Sequence, residues 1–242
     1  MRAPRGVFAG IVLSLVLAVG QVHGQIREVG DEGPYRSQRF QAGGDLDLAL
    51  PQGEFGEFVQ AGYGVGGWIA LNLDRHGTVA LRLDGNYLIY GQENRRRPLS
   101  PTVPFIDVNV STSNNIYSLG IGPLISLGNG PVKPYLIGSA GFSYFATESS
   151  VSGSSNSTAF AKSTNFDDFT FSWSGGGGLR IRVSNKWNPV YIDLGAEYHR
   201  NGEARYLREG SIRDNGNGTI SITPIQSETN LVLLKLGVSG AW

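Results

Sequence analysis

The 242-residue chain contains no cysteine, which excludes disulfide staples and thiolate metal sites. It is also poor in charge. Asp, Glu, Lys and Arg make up 17% of residues, where a soluble domain averages about a quarter. No run is long enough for a helical membrane span, which needs about 20 apolar residues; the longest is the 14-residue stretch Val7–Gly20. No basic excess marks a nucleic-acid partner. Histidine occurs three times, as His23, His76 and His199, with no metal-ligand spacing. What is abundant is glycine, at 35 residues, with 10 Tyr and 11 Phe. That suits closely packed strands with aromatic side chains near their ends.

The N-terminus reads as an export address. Arg2 and Arg5 precede the apolar stretch, and Val22-His23-Gly24 supplies permitted residues before a cleavage point at Gln25. The expected organisation is a signal peptide at 1–24, a polar periplasmic lead-in at 25–38 and one barrel at 39–242. Loss of Arg2 and Arg5 lowers the 20 basic side chains to 18 against 20 acidic ones, a net of −2.

Beyond residue 38 apolar residues recur with period two. Eight strands are predicted, at 39–50, 61–74, 77–90, 114–127, 132–147, 166–183, 189–201 and 228–242. Most reach the roughly 9–11 residues that a tilted strand needs to cross a membrane. LDRHGT, GNGP and SNKWNP are short turns. Residues 91–113, 148–165 and 202–227 are long polar connections, the second expected to be mobile. The 51–60 connection is of middling length.

Charge parity strengthens the reading. Asp45 and Asp47 share one parity, as do Arg82 and Asp84, Arg180 and Arg182, and Asp193 and Glu197. The opposite parity carries Leu46 and Leu48, Leu81 and Leu83, Phe169 and Phe171, Ile192 and Leu194. A charge facing lipid costs about 2–4 kcal/mol at mid-membrane, so this segregation predicts an all-β, eight-stranded, antiparallel up-and-down transmembrane barrel. Both termini are expected in the periplasm and the long loops outside. A soluble lipocalin-like barrel would reverse the pattern. Glycine-rich bulges in strands two, four, five and six are the places where parity could flip.

In the last strand, Leu234, Leu236, Val238 and Trp242 alternate with Lys235 and Ser239. A terminal aromatic behind alternating apolar residues resembles the signal that outer-membrane barrels present to their assembly machinery, although many family members end in Phe. Residues 114–145, NNIYSLGIGPLISLGNGPVKPYLIGSAGFSYF, resemble the middle of the outer-membrane β-barrel family, small eight-stranded proteins similar to the OmpA, OmpX and OmpW barrels. The resemblance implies fold and an outer-membrane location. It does not imply one activity, since such barrels include anchors, adhesins, conduits and lipid-modifying enzymes.

Asp45, Asp47, Arg82, Asp84, Arg180, Arg182, Asp193, Glu197 and Lys235 are expected to line the lumen as a paired network. Eight strands leave an interior just wide enough for side chains, which favours a plug over a solute path. Gly62–Gly67 and glycines 175–178 are read as wall residues, because strand patterns, not a helix, follow them. His199 is expected near the outer rim with Glu197 and Asp193, a loose match to lipid-modifying barrels. Arg95, Arg96 and Arg97 are expected in a solvated loop, with anion contact as the alternative. Tyr87, Tyr90, Tyr144, Trp173, Trp187 and Tyr198 are assigned to interfacial girdles.

The functional expectation is a non-enzymatic barrel with no cofactor. Its role would be anchoring, envelope integrity or surface interaction through long loops. The alternatives are a narrow conduit for small or apolar solutes, then a lipid-modifying enzyme. Expected partners are outer-membrane lipids and lipopolysaccharide, with assembly machinery and periplasmic chaperones during biogenesis. No nucleic-acid partner is expected, and the barrel should be a monomer.

Overall fold

The computed structural model describes residues 38–100, 103–128, 130–153, 159–184, 188–215 and 219–242. The expected signal peptide, most of the lead-in and Trp187 lie outside them. No described helix is long and apolar enough to cross a membrane.

Eight long strands close on themselves. They are β1 (Phe40–Pro51), β2 (Gly62–Asn72), β3 (Val79–Ser100), β4 (Val103–Ser126), β5 (Val132–Gly153), β6 (Ala159–Arg182), β7 (Val190–Asn201) and, after four short strands, β12 (Leu231–Ala241). Each pairs antiparallel with its chain neighbour, and β1 pairs with β12 to seal the ring. Closure removes the sheet edges that an open sheet would expose to lipid.

One face of every strand is apolar and exposed. Leu46, Ile69, Leu83, Ile121, Leu136, Phe171, Leu194 and Leu236 all point outward. The other parity is buried. The glycine-rich stretches of β2, β4, β5 and β6 do not flip it. The register shifts fall instead at Ile89/Gly91, Pro98/Ser100, Thr147/Glu148 and Val151/Ser152, beyond the apolar band.

The connections differ from expectation in a way that matters. Residues 91–113 are mostly strand, and so are 148–153 and 159–165. β3 to β6 reach 22 to 24 residues each. About ten residues per strand therefore exceed the membrane requirement, some 30 Å of chain at about 3.3 Å per residue. The pairs Arg95↔Val110, Val110↔Val151 and Val151↔Ala161 show that these extensions form one four-stranded sheet continuous with the barrel wall. Their polar sequences hid them, because a strand wet on both faces has no apolar parity to display.

The 51–61 connection holds a short helix, α1 (Glu54–Phe58). The expected loop at 202–227 holds four short strands. β8 (Glu203–Tyr206) pairs with β11 (Ile225–Glu228), and β9 (Ile212–Asp214) with β10 (Ile220–Ile222). Of these pieces α1, β8 and β11 fold over the barrel mouth on the side of the long hairpins.

Candidate functional site

The lumen is filled in three layers. Nearest the short turns is an apolar cluster of Trp68, Ala70, Ala80, Leu124 and Tyr135. Trp68 fits because its partner across the strand is Gly43, where a Cβ would stand 2.7 Å from the indole. Two guanidinium groups lie over this aromatic floor. Arg82 Cζ is 4.7 Å and Arg180 Cζ 5.2 Å from the Trp68 ring, and Arg180 is 4.9 Å from Tyr135. Cations over aromatic faces keep part of their electrostatic stabilisation when removed from water.

Above this floor lies the charged layer. Arg82 pairs with Asp84 and Glu197, each at 3.6 Å. Arg180 lies 3.9 Å from Asp193 and donates to Gln41 Oε1 at 2.6 Å. Lys235 Nζ lies 3.3 Å from both Asp45 and Glu197 and donates to Asn86 Oδ1 at 2.9 Å. His199 Nε2 meets Glu197 Oε2 at 3.1 Å. Four strands, β1, β3, β7 and β12, supply most of these groups. The facing wall from β4 to β6 is small and polar, with Ser118–Ser143 and Ser139–Ser174 hydrogen bonds. A 10 Å³ cavity, room for about one water, lies between that wall, Asp84 and His199.

The third layer is an aromatic cap. α1 drops Phe55, fully buried, between Tyr90, Phe145 and Tyr206, with ring centroids at 5.7, 6.3 and 5.1 Å. Leu88, Ile116, Leu231 and Leu233 complete it. The two hydroxyls find partners, Tyr90 on Leu207 O at 3.1 Å and Tyr206 on Ser227 at 3.0 Å.

Of the nine lumen charges read from the sequence, the structure brings eight together. Arg182 is the exception: it sits at the turn end and donates to Gly130 O at 3.3 Å. Arg182 lies opposite Tyr191, on the turn side of the Arg180–Asp193 pair. Tyr90 is likewise not a girdle residue. It differs from Tyr87 by three positions and so faces inward. Tyr87, Tyr144, Trp173 and Tyr198 remain on the outer face, where Tyr87 and Tyr117 stack at 5.0 Å and Tyr117 and Tyr144 at 6.2 Å.

His199 is not at the rim. It is 5% exposed and lies beneath the cap, out of reach of lipid. Arg95 and Arg96 lie on β3, not in a loop, and pair with Glu93 at 2.5 Å and Asp107 at 3.0 Å; Arg97 continues the same strand opposite Val108. Leu234, Leu236, Val238 and Trp242 all project outward. Trp68, Tyr135, Asn86 and Gln41 are lumen residues that charge parity could not find, since none is charged. Among the described residues no group of three His, Asp or Glu is arranged to hold a metal ion.

Several solved structures have a similar chain course. Neisserial surface protein A is 14% identical and aligns over 84% of this chain and 97% of its own, with a TM-score of 0.47. Ail of Yersinia pestis, solved with the heparin analogue sucrose octasulfate, is 10% identical over 86% of this chain and all of its own, at 0.46. A major outer membrane protein from Thermus thermophilus is 12% identical over 84% and 99%, at 0.36. No curated protein matches the sequence. The model of the outer membrane protein β-barrel domain matches residues 12–221. With that match and its closed eight-stranded ring, the chain belongs to the outer membrane protein β-barrel family.

Proposed function

We propose that this protein is a sealed, non-enzymatic outer-membrane anchor that presents a rigid four-stranded sheet for contact at the cell surface. The observation that carries this reading is the continuation of β3 to β6 as one paired sheet well beyond the apolar band. A barrel needing only membrane residence would stop at membrane length.

The sheet has two different edges. On the β3 side, Arg95 and Arg96 blunt the edge, as charged residues do on exposed strands. On the β6 side, Arg205 N reaches Asp168 Oδ2 at 2.7 Å, and among the described residues β6 from Ala159 to Asn165 pairs only with β5. Such an edge offers backbone donors and acceptors to an extended partner segment. The short turns, the start of β1 and the end of β12 share the opposite end of the barrel, which supports a periplasmic position for them and an exterior position for the sheet. A cleaved leader at 1–24 is part of the same proposal.

The test compares surface attachment of cells expressing the wild type and Ser163→Pro. Proline cannot donate to a ladder and disrupts strand pairing where it stands, and Ser163 lies on the protruding part of β6, outside the barrel wall. Heat-shifted gel migration reports whether the barrel still folds. Reduced attachment with folding retained is expected. Equal attachment by both, at the level of cells lacking the protein, would sink the reading. The conduit alternative is disfavoured by three filled layers in series.

A further inference from the structure

The end of the lumen nearest the short turns carries an excess of positive charge. Arg182 on β6 lies opposite Tyr191 of β7, and Arg180, one step further in, lies opposite Lys133 of β5. Lys133 shares the inward parity of Tyr135. Its ammonium reaches across β6 to stand 5.4 Å from the centre of the Tyr191 ring. Three cations from two neighbouring strands are thus gathered on one side of the mouth. Arg39 precedes β1 on the inward parity of Gln41, and its carbonyl accepts from Asn72 N at 2.9 Å.

Little acid answers these four cations. Among the described residues this end holds two carboxylates. Asp193 lies 3.9 Å from Arg180. Asp74, in the β2–β3 turn, takes the amides of His76 and Val79. Among the described residues no carboxylate pairs with Arg39 or Lys133, and the buried Nη2 of Arg180 meets no acceptor. The chain that leads into β1 starts from this same rim. Gln38 O accepts from Asn72 Nδ2, and Asn72 Oδ1 accepts from Gln41 Nε2, both at 2.5 Å. Residues 25–37, ahead of Gln38, read QIREVGDEGPYRS. Glu28, Asp31 and Glu32 fall within one stretch of that segment, 28–32, which contains no base.

We propose that the acidic stretch 28–32 of this chain docks against the basic mouth formed by Arg39, Lys133 and Arg182. Opposite charges make the two surfaces complementary, and the connection is long enough. Glu32 is separated from Gln38 by about 20 Å of extended chain, and Gly33-Pro34 between them is a turn signal. A tether this short presents the acids at an effective concentration in the millimolar range. Exposed ion pairs, each weak alone, then hold the segment in place, which favours it over a separate acidic molecule. The strap lies outside the packed lumen. Salt can lift it, whereas the three layers above are fixed by packing. This inference is independent of the surface role of the protruding sheet.

The test folds the full chain into non-ionic detergent micelles and treats it with a water-soluble carbodiimide, which joins a carboxylate to an ammonium only where the two touch. Mass spectrometry then identifies the linked peptides. A link from Lys133 to Glu28, Asp31 or Glu32 is expected, with none from these acids to Lys162 at the other end of the barrel. Its yield should fall about fivefold in about 1 M salt. The double variant Arg39→Gln/Arg182→Gln should lower it by about the same factor, with heat-shifted migration reporting that the barrel still folds. Mixing protein of light and heavy isotope composition separates links within one chain from links between two, and only unmixed products are expected. Mixed products in statistical proportion would overturn the proposal by placing the segment on a second copy. A folded wild type without the Lys133 link, or with a yield indifferent to salt, would overturn it as well.

Discussion

At the residue scale, Lys235 is the group on which most of the charged layer depends. It is 8% exposed and touches three carboxylates and Asn86. Removing one partner of a buried ion pair leaves the other charge uncompensated, at a cost of about 3–5 kcal/mol. Lys235→Ala should lower unfolding stability by that amount in urea titrations followed by tryptophan fluorescence. A loss under about 1 kcal/mol would mean that water already reaches these carboxylates. Lys235 was legible because a lone charge in an apolar alternating strand has one tolerable direction. Trp68 and Tyr135 were not, because an aromatic ring is at home on either face. Arg182 shows the opposite failure. Its parity was read correctly as inward-facing, but parity says nothing about depth, and the chain at that depth has already left the packed lumen.

At the scale of elements, the strands that cross lipid were readable and the parts beyond lipid were not. β1, β2, β7 and β12 end within a few residues of expectation, since lipid imposes an apolar face along their whole length. β3 and β4 overran expectation by about ten residues, and β5 and β6 by about six or seven, where water replaces lipid on the outer face. The apolar face itself can be tested on β12. Leu236, 54% exposed, points into the membrane near mid-strand. Leu236→Arg should cost about 2–4 kcal/mol in a bilayer, while Ser163→Arg on the protruding sheet should be close to neutral; equal costs would argue against a membrane around β12.

The β2–β3 turn offers a pH signature. Asp74 accepts from Val79 N at 2.9 Å and His76 N at 3.2 Å. These amides, Val79 foremost, hold its carboxyl below its ordinary value of 3.8. A depressed carboxyl stabilises the turn above that ordinary value, and the contribution is lost as pH falls through the lower folded value. Amide-exchange protection at Val79 should therefore decline only in strongly acidic buffer, and Asp74→Ala should lack it at neutral pH as well. Unchanged protection in Asp74→Ala would assign the turn's order to Gly77, with φ +66°, and to the Leu73 N to Val79 O bond.

At the scale of the whole molecule, the question is how many seals close the lumen. Eight strands give an interior that side chains can fill, and here three layers fill it by different means: an aromatic floor, a charge network and an aromatic cap. The cap depends on one residue brought from outside the wall, Phe55 of α1, which has no exposed surface. Phe55→Ala removes a buried ring from contact with three others, a loss of about 3–5 kcal/mol. If the cap were the only seal, this variant would also conduct. The layers below argue otherwise, since Arg82, Asp84, Glu197 and Lys235 span the interior from three strands and Trp68 lies beneath them. The expected outcome is a less stable barrel that still shows no large, stable conductance steps in planar bilayers, as in the wild type. Stable steps in Phe55→Ala alone would make the cap the sole barrier and reopen the conduit reading. Steps that appear only when Phe55→Ala is combined with Trp68→Ala would establish seals in series, as the proposed anchoring role requires.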